Sequence, residues 1–163
     1  MNYRVRDALP SDLPRIEDIY AYARDFMEKT GNPNQWGKTN PPHEWLVEDI
    51  RQKLLHVIED DNGIHGVFYF YIGEDPTYGE IEDGAWKSEA VYGTIHRIAS
   101  DGSGGILRTA VEFCSGLINN IRIDTHHDNV VMQKAVAKLG FTRSGIIHLA
   151  NGSPRIAYEL FVK

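Results

Sequence analysis

A chain of 163 residues, 42% of them AVILMFWYC and 25% DEKR, has the composition of an ordinary globular protein and room for one domain, residues 1–163. The lone Cys114 excludes an internal disulfide framework and speaks against a thiolate site, so no metal is expected. A formal net charge of −6 disfavours nucleic acid as a partner. With no apolar run of roughly 18 residues and no apolar signal core in Met1–Pro10, the expectation is a cytoplasmic chain with no membrane partner.

The elements follow in order. Tyr3–Arg6 reads as a strand, and Pro10-Ser11-Asp12-Leu13-Pro14 as a helix entry. Leu13, Ile16, Tyr20, Ala23 and Met27 recur at helical spacing until Gly31-Asn32-Pro33. Asn32–Pro42 is a loop, and His43–Leu55 returns to a helical pattern. Leu55–Glu59 and Gly66–Ile72 are strands joined through Asp60-Asp61-Asn62-Gly63, a hairpin signal. A polar, turn-rich stretch, Gly73–Glu89, leads to a strand at Tyr92–Ser100. The glycine-rich Asp101–Gly105 then opens a helix with Ile106, Ala110, Phe113 and Leu117 on one face. A strand at Ile121–Thr125, a helix at Asn129–Leu139, and strands at Phe141–Leu149 and Arg155–Val162 complete the chain. This order predicts an α/β or α+β mixed sheet flanked by helices.

The junction from Ile95 to Arg108 carries the most information. A strand runs into a glycine turn that opens a helix, and the first N–H groups of a helix have no internal partner and sit at the positive end of its dipole. Glycine lets such a backbone approach a phosphate closely. Gly102, Ser103, Gly104 and Gly105 are the candidate donors; a plain flexible turn is the alternative reading. The lysine of a phosphate-binding P-loop is missing, as is the acidic residue of a dinucleotide fold. The strand itself is irregular: Val91, Gly93 and Ile95 alternate, but the next apolar residue is Ile98. Either a β-bulge near His96-Arg97 restores the period, or Ile98 faces the other side of the sheet.

This junction, followed by Ile121–Asn129, Met132 and Lys138-Leu139-Gly140-Phe141, resembles the GNAT superfamily of N-acetyltransferases, and Tyr3–Leu13 resembles that family's opening. Asn129 with Gly140 and Phe141 eleven and twelve residues later matches the family's spacing. The resemblance implies a mostly antiparallel twisted sheet splayed between its fourth and fifth strands, with about four helices. It implies transfer of an acetyl group from acetyl-CoA, without metal, to a primary amine of a small molecule or peptide. The glycine loop and Ile106 would hold the pyrophosphate; the backbone of Ile98, Ala99 and Ser100 would pair with the pantetheine arm; Asn129 would hydrogen-bond the arm and Met132 pack on it. For Met132 core packing, and for Asn129 an N-cap role, are the simpler alternatives. The loop departs from the family pattern in every register, and the position seven residues after Asn129, a tyrosine in many members, is Val136.

A neutral amine nucleophile needs a base or a water chain. Among the seven histidines, His126 follows Asp124, which would orient it, and His96 lies at the suspected bulge; either can equally be structural. His126-His127-Asp128 has the ligand types of a metal site but no second ligand cluster beside it. Tyr158 is a candidate acid, or a packing residue. Cys114 reads as a buried thiol rather than a nucleophile. For the acceptor, Trp36 and Trp86 would wall a pocket that Glu82, with Glu80 and Asp83, makes attractive to amines; alternatively the tryptophans only anchor their loops. Two further readings stay open: a coenzyme A-binding domain without catalysis, and a phosphate- or nucleotide-binding regulatory module. So does assembly as a homodimer.

Overall fold

The computed structural model describes residues 2–162. β1 (Arg4–Asp7) leads through a 3-10 turn at Pro10–Asp12 into α1 (Leu13–Lys29), followed by α2 (His43–Arg51). The hairpin β2 (Leu55–Asp60) and β3 (Gly63–Ile72) precedes β4 (Gly93–Ser100) and α3 (Ile106–Ser115). β5 (Asn120–Thr125), α4 (Val130–Lys138), β6 (Thr142–His148) and β7 (Pro154–Phe161) close the chain. Among the described residues no helix is long and apolar enough to cross a membrane.

One seven-stranded sheet, ordered β1-β2-β3-β4-β5-β7-β6, takes in every strand. All neighbours are antiparallel except β4 and β5, which run parallel with α3 between them in the chain. The expected mixed sheet, mostly antiparallel and flanked by four helices, is what forms. α1 and α2 cover one face: Ile16, Ile19, Tyr20, Leu46 and Ile50 pack on Leu55, Val57, Val67 and Ala99. On the other face, Ile106, Ala110, Cys114 and Val136 from α3 and α4 pack on Ile58, Phe68, Ile95, Ile121 and Ile123. Burial pushes the Cys114 thiol well up from its ordinary value.

Some expectations shift. The hairpin is tighter than the composition suggests: Asp60 pairs with Gly63, so Asp61-Asn62 alone turn the chain and β3 begins at Gly63. Along α3 the buried positions are Ile106, Ala110, Val111 and Cys114, while Leu117 lies exposed past the helix end.

The irregularity in β4 is a bulge. Tyr69 pairs with His96 and Val67 with Ala99, so Phe68 faces two residues, Arg97 and Ile98, and Arg97 takes a left-handed φ of 52°. The extra residue returns Ile98 to the face of Ile95 and sends Ala99 toward α1. The second reading of the sequence, Ile98 on the opposite face, does not hold. The buried Tyr20 hydroxyl donates to the Arg97 carbonyl at 2.7 Å and so secures the bulge from α1.

Candidate active site

The site is a seam in the sheet. β4 and β5 pair only at Gly93 with Ile121 and Thr94 with Arg122. Past these the bulge, which bends and twists its strand, carries β4 away from β5. The parted strands open a cavity of about 690 Å³, walled by Ile95, His96, Arg97 and Ile98 on one side and Ile123, Asp124, Asn129 and Met132 on the other. Gln35, Trp36, Trp45 and Asp49 close it above; Asp75, Thr77, Ala150, Asn151 and Arg155 complete its end.

At the β4–α3 corner the loop folds on its own side chains. Ser100 Oγ accepts from the Gly102 N–H and Asp101 Oδ1 from the Ser103 N–H, both at 3.1 Å, so these two expected donors are spent internally. Further along, Gly105 takes a left-handed φ of 81° as the helix N-cap. Among the described residues the N–H groups of Gly104, Gly105, Ile106 and Leu107 meet no protein acceptor. They are a set of donors at the positive end of α3, and they fit a diphosphate. A Cβ at Gly102 would come within 2.7 Å of the Tyr22 hydroxyl, and the φ there is +97°, so only glycine lets the chain turn under that ring.

Asp101 would repel an anion at this corner, but Arg15 Nη2 lies 2.7 Å and His65 Nδ1 2.8 Å from its carboxylate. The other nitrogen of His65 is 2.8 Å from Asp60. Hydrogen bonds to Asp101 and then to Asp60 raise the His65 pKa above its ordinary value of 6.5. A raised imidazole stabilises the fold fully below the unfolded-state value, and this contribution is lost as pH rises through the folded-state value. The melting temperature of the wild type relative to His65→Gln is therefore expected to be highest below the ordinary imidazole value of 6.5 and to fall toward that of the variant as pH rises above it. Melting curves on both sides of that value check it; a constant difference would show that His65 does not titrate against these carboxylates.

At the other end lies a titratable cluster. His96 Nε2 is 2.6 Å from Asp75 Oδ2, and His96 Nδ1 is 3.8 Å from Asp124 Oδ2. Tyr78 donates to the same Asp124 oxygen at 2.6 Å. Burial pushes the Asp75 carboxyl up, but hydrogen bonds from His96 and Thr77 outweigh it and hold it at about 2. Burial, reinforced by Asp124, holds the Tyr78 phenol well above its ordinary range. Asp75 is thus an anion fixed on one imidazole nitrogen, which leaves Nδ1 as the nitrogen with a lone pair toward the cavity.

Of the residues singled out from the sequence, His96, Ile98, Asn129, Met132 and Trp36 line this cavity. The Asn129 side chain is engaged at both ends: Oδ1 accepts from the Met132 N–H at 3.0 Å as an N-cap, and Nδ2 donates to Gln35 at 3.0 Å. Trp36 packs edge-on against Tyr20, 5.5 Å between ring centroids.

Three expected residues stand elsewhere. His126 does not line the cavity. Alternation would have put it on the face of Asp124, but β5 ends at Thr125, and Nδ1 of His126 turns back to accept the Asp128 N–H at 3.0 Å. Burial lowers its pKa. His126, His127 and Asp128 bring ligand atoms within 4.8 Å of one another, but all three come from consecutive residues. Trp86 walls a separate recess; its Nε1 donates to the Tyr78 carbonyl at 2.9 Å and its ring stacks on Arg122, so it anchors the loop that delivers Asp75 and Tyr78. Glu82 crosses to the far edge of the sheet, pairs its backbone with Ile146 and faces His148 at 3.4 Å. Neither Tyr158 nor the fully buried Val136 reaches the cavity.

The acids that do reach it are Glu48, Asp49, Asp75 and Asp124. Asp49 is paired with Arg97, whose guanidinium lies 4.5 Å from the centre of the Tyr69 ring. Their positions in the chain carried no local signal, because the cavity draws them from α2, the loop after β3 and β5.

No protein-family model and no curated protein matches the chain. Solved structures do. An acetyltransferase of the GNAT family from Streptococcus agalactiae superposes with a TM-score of 0.89 at 27% identity, over 99% of this chain and 96% of that one. An acetyltransferase described as putative, from Staphylococcus aureus, gives 0.68 at 23% identity, over 98% and 99%. An N-acetylglutamate synthase from Neisseria gonorrhoeae, solved with coenzyme A and N-acetyl-glutamate, gives 0.65 at 14% identity over 100% of this chain and 36% of that one. The chain has the GNAT-like fold, as its sequence motifs imply.

Proposed function

We propose, from the GNAT-like fold and the geometry of its parted strands, that this protein transfers an acetyl group from acetyl-CoA to a primary amine of a small molecule or peptide. The observation that carries the reading is the seam. β4 leaves its neighbour after Thr94, so its edge is free to pair with an extended ligand that ends at the unpaired N–H groups of Gly104–Leu107. A pantetheine arm capped by a diphosphate has that shape and charge, and the S. agalactiae structure named above is that of an acetyltransferase.

Acetyl-CoA supplies a thioester carbonyl as electrophile. The residues of the chain do the rest. The diphosphate sits on the donors of α3, and the arm lies along Ile98–Ser100 with Met132 against it. A backbone N–H of β4 polarises the carbonyl oxygen. At the cavity end, the Asp124 carboxylate attracts an amine and His96 Nδ1 accepts its proton, while Asp75 holds the ring from the opposite nitrogen. The amine nitrogen forms a bond to the carbonyl carbon, the carbon–sulfur bond breaks, and the departing thiolate takes up a proton. No tyrosine stands on α4 to give it, since that position is the buried Val136; water or the His96 imidazolium serves.

Two measurements test this. Acetyl-CoA is expected to raise the melting temperature while ATP and NAD leave it unchanged, and release of free coenzyme A thiol is expected to depend on an added amine. Absence of any shift with coenzyme A esters at millimolar concentration would remove the reading; a shift without turnover of any amine would leave a binding domain.

A further inference from the structure

Two arginines are buried in this protein, Arg122 and Arg155. Arg122 has the Glu159 carboxylate 3.9 Å away and lies between the rings of Trp86 and Tyr92. Arg155, only 5% exposed, has no carboxylate within 4.0 Å among the described residues, and it opens on the cavity. Its bonds are to neutral acceptors: Nη1 donates to Ser153 Oγ and to the Pro154 carbonyl at 2.9 Å, and Nη2 to the Gln35 carbonyl at 3.3 Å. Nε–H and one hydrogen of Nη2 are left without a protein acceptor. A carboxylate can take up these remaining donors through charge-assisted hydrogen bonds. Withdrawing a guanidinium from water without a counter-charge is costly, so a ligand carboxylate completes the site rather than merely decorating it.

The strand register sets where that carboxylate would sit. Asp124 stands opposite Ala157 in the β5–β7 pairing, and Arg155 is two residues earlier on β7, on the same face. Two residues of strand span roughly 7 Å. The anionic and cationic groups therefore flank a short gap, with His96 on the Asp124 side. Around it Trp36, Trp45 and Tyr69 offer ring surface.

We propose that the acceptor is a small primary amine bearing its own carboxylate, an amino acid, with the carboxylate on Arg155 and the amino group between Asp124 and His96. This rests on the acetyl-transfer reading above and deepens it. A plain polyamine would leave the guanidinium unpaired and place added positive charge beside it.

The test compares three series in the wild type: L-phenylalanine, L-leucine and L-methionine; their carboxamides; and the amines that remain when the carboxylate is removed. Calorimetric binding and thiol release are both read. The free acids are expected to bind and to be acetylated with kcat/KM on the order of 100-fold above the amides and amines, the discrimination of a site that loses a charge-assisted hydrogen-bond pair. Arg155→Met is expected to lower the acids by a similar factor, so that their advantage over the amides disappears, and to retain the melting-temperature rise with acetyl-CoA, which shows the variant folded. Arg155→Lys is expected to recover part of the loss. Amides and amines used as well as the acids, or acids that neither bind nor react, would overturn the proposal. Acids that bind through Arg155 but are never acetylated would support it and remove the transfer reading instead.

Discussion

Replacing His96 by alanine is expected to lower kcat by a factor of roughly 10²–10⁴, the usual contribution of a positioned base, with little change in acetyl-CoA affinity. The physical ground is the pair of carboxylates around the ring: Asp75 at 2.6 Å from Nε2 fixes one nitrogen, and Asp124 at 3.8 Å from Nδ1 stands where an ammonium would be drawn in. His126→Ala serves as the comparison, since that ring lies outside the cavity and already accepts the Asp128 N–H through Nδ1. Its kcat and pH profile are expected to match the wild type. Steady-state kinetics across pH for the two variants decide the matter, and a His96→Ala enzyme with wild-type turnover would take the imidazole out of the reaction.

The second large effect is expected at the corner of β4 and α3. Gly104→Asp should raise the dissociation constant of coenzyme A by on the order of 100-fold, equivalent to about 3 kcal/mol. A carboxylate placed among the unpaired N–H groups of Gly104–Leu107 would occupy the donors and repel the diphosphate at once. Asp101 shows how this fold tolerates an acid here: only with Arg15 and His65 both clamped on it. Titration calorimetry with coenzyme A measures the change, and circular dichroism checks that α3 persists. An unaltered affinity would move the diphosphate away from this loop.

The sequence disclosed the fold and one wall of the site for the same reason: both are written in contiguous residues. The helix faces of α1 and α3, the hairpin and the break in alternation after Ile95 are local patterns, and the bulge at Arg97 lies where the period fails. The residues that close the cavity above and at its end have no such script. Gln35, Trp45, Asp49, Asp75 and Arg155 converge from two loops, a helix and a strand. His126 misled because alternation was continued one residue past the end of β5. Glu82 and Trp86 misled because a polar, turn-rich stretch looks the same whether it overhangs a pocket or, as here, folds over the outer part of the sheet.

The burial of Cys114 in the core beneath α3 has a practical reach. With its single sulfhydryl buried and its ionisation pushed up by that burial, the folded protein is expected to be silent toward chromogenic disulfides. Every equivalent of colour formed in a mixture of enzyme, acyl thioester and amine then reports liberated coenzyme, turnover by turnover, and a slow late rise in an amine-free blank would register unfolding of the catalyst itself.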